Sequence, residues 1–392
     1  MQKTERIFDN TEIAFSLKND SELERAYFLF KMISIEPLVK IGTAATNFAI
    51  KAKLPIEGLI RSTVFDHFCG GVNEDDCLPV IDKMFSKGVS SVLDYSVEGK
   101  DIEDEFDTAV KKVLKIIDFA KNIDAIPIAV FKPTGFGRLS LYEKVGAGEN
   151  LSEKEQLEWA KVVERYDTVC SKAKENDVAV LIDAEESWMQ DAADDLVTKM
   201  MKKYNTEKPI VFNTLQMYRH DRLDFLKKEH KRAIKENYFL GYKLVRGAYM
   251  EKENERAEDL GYKSPICESK LATDENFNSG LQYIIDNLER ISVFAGTHNE
   301  ESSYLLMELM DKKGLKNNDS RIWFGQLYGM SDHISFNLAN KGYNVAKYMP
   351  FGPVKDVMPY LIRRAEENTS VAGQTGRELA LLSKEKQRRK TL

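Results

Sequence analysis

Near the C-terminal end of this 392-residue chain stands Tyr360-Leu361-Ile362-Arg363-Arg364-Ala365-Glu366-Glu367-Asn368. Two adjacent arginines are followed by carboxylates and an amide on what reads as one short helix, approached past Pro353 and Pro359. A guanidinium is a rigid fork of donors that matches a carboxylate in bidentate fashion. Two such forks side by side are expensive to bury unless an anion joins them or an acid such as Glu367 does. Taken alone, the pattern fits a basic turn on a surface helix as well as it fits an anion clamp. The polar residues elsewhere decide between the two.

Beyond about residue 90 the chain repeats one pattern, a short β-rich apolar run closed by polar or glycine residues and followed by a longer charged helix. The runs are Ser91–Tyr95, Pro127–Lys132, Val178–Asp183, Pro209–Asn213, Tyr242–Arg246, Ile291–Ala295, Arg321–Gly325 and Tyr343–Tyr348. Near-continuous apolar strands indicate a sheet buried on both faces, hence a parallel one. Helical stretches such as Ser152–Glu175 and Glu268–Glu289 fill the gaps. The expected fold is therefore α/β, a (βα)8 TIM-like barrel. An open doubly wound sheet is the alternative, disfavoured because no glycine-rich dinucleotide fingerprint follows the first strand. Residues 1–88 read as a helical arm with apolar segments Tyr27–Val39 and Phe48–Ile60, and residues 89–392 as the barrel with a C-terminal helix.

In such a barrel the active site lies at the C-terminal ends of the strands. The polar residues there are Lys132, Asp183, Gln216, Lys243 with Arg246-Gly247-Ala248-Tyr249, Thr297-His298-Asn299, Gln326-Leu327-Tyr328 and Tyr348. Singly, each has a plain explanation: Asp183 could cap the next helix, and His298 could be a satisfied core histidine. Together they describe a cavity with cationic, amide and aromatic lining. None of the five histidines, His67, His220, His230, His298 and His333, forms a metal-binding pair. His220 and His230, on a highly charged stretch, are expected to face water. No G-x-S-x-G elbow appears. Cys69, Cys77, Cys170 and Cys267 form no C-x-x-C pair, as expected of incidental thiols in a reduced compartment.

With 43% hydrophobic residues the chain can bury a large core, and its net charge of -6 gives no basic excess for nucleic acid. No apolar run is long enough to span a bilayer. Met1–Phe30, carrying Asp9, Glu12, Asp20 and Glu22, resembles neither a signal peptide nor an acid-poor transit peptide. The expected location is cytoplasmic, peripheral at the inner face of a membrane, or mitochondrial if a leader has been trimmed. The basic run Lys384, Lys386, Arg388, Arg389, Lys390 reads as a solvated helix end, or as a weak contact with an anionic membrane surface.

At these residues the chain resembles the flavin-dependent proline dehydrogenases, monofunctional members included. The blocks that carry the likeness are Asp183-Ala184-Glu185-Glu186, Lys243-Leu244-Val245-Arg246-Gly247-Ala248-Tyr249, Thr297-His298-Asn299, Gln326-Leu327-Tyr328-Gly329-Met330 and Tyr360 to Asn368. The resemblance implies a distorted (βα)8 barrel holding FAD at the strand ends. It implies oxidation of L-proline to Δ1-pyrroline-5-carboxylate, with hydride passing from proline C5 to flavin N5 and electrons to a membrane quinone. A pyrroline-5-carboxylate dehydrogenase would be the downstream partner.

Residue by residue, it implies that Arg363 and Arg364 clamp the proline carboxylate beside Lys132. Tyr249, Leu327, Tyr348 and Tyr360 pack the ring. Asp183 supports the arginine–tyrosine network, and Glu367 holds the arginines. Lys243 lies near flavin N5. Gln216, Val245, Gly247, Ala248, Thr297, His298 and Asn299 contact FAD, with Lys270 and Thr273 toward its outer portion. Asp183, Lys243, Arg363 and Arg364 form the expected catalytic set.

Two departures stand out. Lys243 replaces the arginine of many bacterial members, a point charge in place of a planar fork. Met250 replaces a tryptophan that stacks on the cofactor. Tyr348, where hydroxyproline dehydrogenases tend to carry a small residue, favours bare methylenes over a ring hydroxyl. The other readings are a hydroxyproline dehydrogenase, a barrel that binds an acidic metabolite without redox work, and a Schiff-base lyase using Lys132 or Lys243.

Overall fold

The computed structural model describes residues 6–52, 57–95, 102–370 and 374–391. At Glu36, residues 45–51, Glu57, Leu59, Ser62, residues 365–370 and Gln374 it describes the backbone alone. Eight strands close in chain order into one parallel barrel. They are β1 (Val89–Tyr95), β2 (Ile128–Phe131), β3 (Ala179–Ile182), β4 (Val211–Gln216), β5 (Leu240–Val245), β6 (Ile291–Gly296), β7 (Ile322–Leu327) and β8 (Val345–Phe351). Every residue of β2, β4 and β8 is buried, as a sheet covered on both faces requires. The expected (βα)8 barrel is the observed one. Each apolar run yields a strand whose ends lie within a few residues of those read from the sequence.

By internal contacts the chain forms two compact units, one of residues up to Glu98 together with Gln326 onward, the other Gly99–Gly325. In the second, the helix Glu153–Asn176 starts at a capping box. The Ser152 hydroxyl accepts from Glu155 N, and the Glu155 carboxylate accepts from Ser152 N at 2.9 Å. It ends at Asp177 in the left-handed region, φ 56°. The helix Glu103–Asn122 buries Phe106, Val110, Val113, Ile117 and Ala120, a three-and-four spacing that defines one apolar face. Arg165 joins the two helices, binding Glu103 and Asp107 while donating to Phe136 O at 2.9 Å.

In the first unit, β1 and β8 pair in register with Val92 beside Tyr348 and Ser91 beside Lys347. The helix Asp20–Ile33 is capped by Asn19 with Glu22. It packs Leu23, Ala26 and Phe30 against Phe15, Leu381 and Leu382, so it shares one small core with the helix Gln374–Lys390.

Two expectations are corrected here. The basic tail is not a solvated helix end. Arg388 and Arg389 both bind the fully buried Glu385, and Arg389 also binds Asp20 and the carbonyls of Lys18 and Phe15. Lys386 pairs with Glu24 at 2.7 Å, and Lys384 donates to Asp9 O. The charges were attractive to water only until the N-terminal helices supplied acids at matching positions. Likewise His220 is exposed, but His230 is buried, its Nδ1 2.9 Å from the Tyr283 hydroxyl. The helix Arg222–Glu236 turns that position inward although its neighbours are charged.

Candidate active site

One charged group follows β2 (Lys132), one follows β3 (Asp183) and one lies on β5 (Lys243), and the fold brings the three together. Lys243 donates from its ammonium to Asp183 Oδ1. Lys132 lies 3.8 Å from Asp183 Oδ2. Leu244, the neighbour of Lys243, touches the outer helix Lys270–Asp286 at Gly280, so Lys243 points the other way, to the barrel interior. β3 and β5 are separated by β4, roughly 10 Å at the usual strand spacing. An ammonium on β5 meets a carboxylate after β3 only by crossing inside the barrel. Two ammoniums therefore share one carboxylate at the strand ends, with Lys243 6% exposed. Asp183, expected to support the arginine–tyrosine network, is here within reach of both lysines.

A buried polar scaffold holds this end of β3 and β4. Both Glu185 oxygens accept from Thr134, one from its N–H at 2.8 Å and one from its hydroxyl at 2.6 Å. Burial raises the Glu185 carboxyl to about 7, against the lowering effect of the Thr134 bonds. Gln216 Nε2 donates to Glu185 O at 2.6 Å, and Gln190 Oε1 accepts from Glu185 N. Behind them Asp194 accepts from Gln190, Asn213 and Arg222 at 2.7–2.8 Å. Gln216 was expected at the cofactor; here its amide also fixes the backbone that carries Asp183. Glu185 and the Asp194–Arg222 pair were not singled out from the sequence. Glu185 lay inside a recognised block, whereas Asp194 and Arg222, 28 residues apart, gave no local signal.

After β5 the chain turns sharply. Gly247 has φ +138°, and a Cβ there would lie 2.6 Å from the Tyr218 ring. Gly247 and Ala248 are exposed, while Val245 and Tyr249 are half-buried. Arg246 lies 4.6 Å over the Phe277 ring and binds Asp274, the Thr297 hydroxyl and the Ser302 hydroxyl. Burial lowers its pKa against the pull of Asp274. Thr297 also accepts from Asn299 N, and Asn299 caps the helix Glu300–Lys312 by accepting from Ser302 N at 2.9 Å. The β5 and β6 ends are thus one hydrogen-bonded rim that includes Thr297 and Asn299, with half-buried His298 between them. Lys270, at the start of its helix, is exposed; Thr273, one turn on, is buried and donates to Ser269 O. Met250 is 52% exposed.

The remaining expected residues lie in the other unit. Leu327 closes β7, and Tyr348 lies on β8, 8% exposed. Tyr328 N donates to Tyr348 O at 2.8 Å. The helix Met358–Ser370 carries Tyr360, Arg363 and Arg364, and Tyr360 packs in a core with Leu361, Val357, Met330 and Phe68. Arg364 is 8% exposed and its guanidinium lies 5.2 Å over the Tyr360 ring. Arg363 is half-buried. The side chain of Glu367 lies outside the described residues. A residue the sequence did not flag, Lys347, is fully buried on β8; its signal was a lone cation inside an apolar run. Among the described residues no group of histidines, cysteines and acids could hold a metal ion.

Comparison with known proteins identifies the family. The family model described as proline dehydrogenase matches residues 77–377. The carbapenem antibiotics biosynthesis protein CarD of Pectobacterium carotovorum subsp. carotovorum is 35% identical over 333 residues, covering 85% of this chain and 86% of that protein. Mitochondrial proline dehydrogenase 2 of Arabidopsis thaliana is 31% identical over 416 residues, covering 94% and 87%. Among solved structures, proline utilization A from Bdellovibrio bacteriovorus superposes with a TM-score of 0.73 at 20% identity. That superposition covers 94% of this chain and 40% of the other.

Proposed function

This chain belongs to the proline dehydrogenase family, and we propose that it oxidises L-proline to Δ1-pyrroline-5-carboxylate with FAD as its bound cofactor and a membrane quinone as electron acceptor. The observation that carries the reading is the arginine pair. Arg364 is turned out of bulk water onto the Tyr360 ring, beside half-buried Arg363 on the same helix. Two adjacent guanidiniums in such a setting suit a single small carboxylate, which they can hold in bidentate fashion.

In this reading Arg363 and Arg364 bind the proline carboxylate, with Lys132 adding charge and Glu367 ordering the pair. Tyr249, Leu327, Tyr348 and Tyr360 close on the ring methylenes and exclude water. Asp183 holds Lys243 and Lys132 in fixed positions. The rim fits a flavin dinucleotide. At Gly247 a Cβ would strike Tyr218, so the chain there stays slim, and exposed Ala248 follows it. Gln216, Val245, Thr297, His298 and Asn299 offer a mixed polar and apolar surface. Lys270 and Thr273 lie on the helix beyond, toward the outer portion of the cofactor.

When bound, FAD supplies the two-electron acceptor for the hydride at proline C5, at its N5. Lys243 places positive charge where the reduced ring gains negative charge. The substrate amine gives its proton to solvent. The clamp sets the orientation of C5, and such positioning contributes several kcal/mol to barrier lowering (about 7 kcal/mol in well-oriented model reactions). A downstream pyrroline-5-carboxylate dehydrogenase would consume the product. No helix among the described residues is long and apolar enough to cross a membrane, so contact with a quinone-bearing bilayer would be peripheral.

The visible spectrum of the purified protein tests the reading. A flavin band near about 450 nm should bleach on adding L-proline. Arg364→Met should keep the band and raise the proline KM by about tenfold to a hundredfold. Protein that stays colourless after FAD is supplied, or a KM unmoved by Arg364→Met, overturns it. Bulky Tyr348 favours proline, so turnover should be higher with proline than with trans-4-hydroxyproline.

A further inference from the structure

The buried lysine on β8 has no part in the chemistry just described. Lys347 is fully buried, and its ammonium donates to Met330 O, to Asp332 Oδ1 at 2.8 Å and to Leu327 O at 3.5 Å. The other Asp332 oxygen meets Lys18 at 2.9 Å. An ammonium has three donors and no acceptor, and here three acceptors converge on it from residues 327–332, the segment that leaves β7. That segment is conformationally demanding: Gly329 has φ 78° and Ser331 φ 51°. A Cβ at Gly329 would lie 2.2 Å from His67 O, and His67 Nε2 donates to Gly329 O at 2.9 Å. Burial, and then Lys18, lowers His67 to about 4, which keeps the ring neutral.

A buried charge is a poor way to add stability, since a well-packed apolar residue of similar volume often does as well. It is a good way to specify one arrangement. The residue next to Lys347 is Tyr348, whose side chain leaves the opposite face of the strand. The segment that Lys347 gathers begins at Leu327. The main-chain bond from Tyr328 N to Tyr348 O lies between them.

We propose that Lys347 is a positioning residue for the substrate ring: by locking the turn after β7 onto β8, its ammonium fixes the spacing of the Leu327 and Tyr348 side chains. The proposal rests on the reading that those two side chains pack proline.

The test uses the flavin-loaded full chain and Lys347→Met, with two readouts. The first is steady-state kinetics with L-proline. KM should rise about tenfold while kcat changes much less and flavin content is kept, since a displacement of an ångström in a positioned site is enough for such losses. The second is amide hydrogen exchange across residues 327–351, where protection at Tyr328 should fall. A folded variant with wild-type KM, even one of lowered Tm, overturns the positioning role. Unchanged exchange at Tyr328 overturns the lock itself. If wild-type protein fails to oxidise proline, the functional reading falls and the role toward the ring falls with it; exchange alone then decides the lock. Should Lys347→Met fail to fold, Lys18→Met, which removes only the outer cation from Asp332, should give the same two changes at smaller size, about threefold in KM.

Discussion

Buried against Thr134, the Glu185 carboxyl holds its proton to about pH 7 instead of the ordinary 4.5. In the unfolded chain it ionises near the ordinary value. Between those two values the folded state binds the extra proton, so stability falls as pH rises through that window and levels off above it. Glu185→Gln keeps an acceptor for the Thr134 N–H and offers donors to its hydroxyl. The variant should therefore lose this part of the decline. Thermal melts of both proteins from pH 4.5 to 8 should converge at the acid end and separate toward neutrality, the variant being more stable there; parallel curves would sink the assignment. The same residue scale explains the thiols. Burial pushes Cys77 up to about 12 and raises Cys69 and Cys170 as well, so these sulfurs are core atoms and not nucleophiles.

At the scale of elements, the turn after β5 is the most constrained piece of the rim. Gly247 combines a positive φ with close approach to Tyr218, two reasons why a side chain does not fit. Gly247→Ala should strain the turn by about 1–3 kcal/mol. On the proposed cofactor reading, strain of that size felt at the site weakens flavin binding roughly tenfold or more, at about 1.4 kcal/mol per decade. Fluorescence titration of stripped protein with FAD measures this, and a wild-type dissociation constant would remove Gly247 from the cofactor cradle. The helix Lys270–Asp286 shows the complementary case. A Cβ at its Gly280 would lie 3.3 Å from Leu244, so the helix packs closely on that side chain while Lys243 turns inward toward Asp183.

At the scale of the molecule, the helix Gln374–Lys390 packs on the helix Asp20–Ile33. Arg389 reaches Asp20, two N-terminal carbonyls and the buried Glu385, while Leu381 and Leu382 share a core with Phe15 and Phe30. Arg389→Ala leaves Glu385 with Arg388 and Thr11 and takes one donor each from the carbonyls of Phe15 and Lys18. A loss of about 1–3 kcal/mol follows, seen as a Tm lower by roughly 2–4 °C for each kcal/mol. Differential scanning calorimetry checks it. A Tm equal to wild type would mean that the tail contributes nothing to holding the N-terminal helices.

The sequence by itself determined the barrel, because a strand covered on both faces must be an apolar run and eight such runs alternate with charged helices. It also marked the arginine pair and the polar residue at each strand end, since those stand out against an apolar background. It could not pair them. Lys243 and Asp183 are 60 residues apart and meet only because closure of the sheet turns both inward. Nor could it tell that the basic tail finds acids on the first helices, that His230 faces the core, or that Lys347 is a buried tie and not a surface charge. Local sequence fixes which residues are apolar or charged. Which charges find a partner out of water depends on distances set by the packed whole.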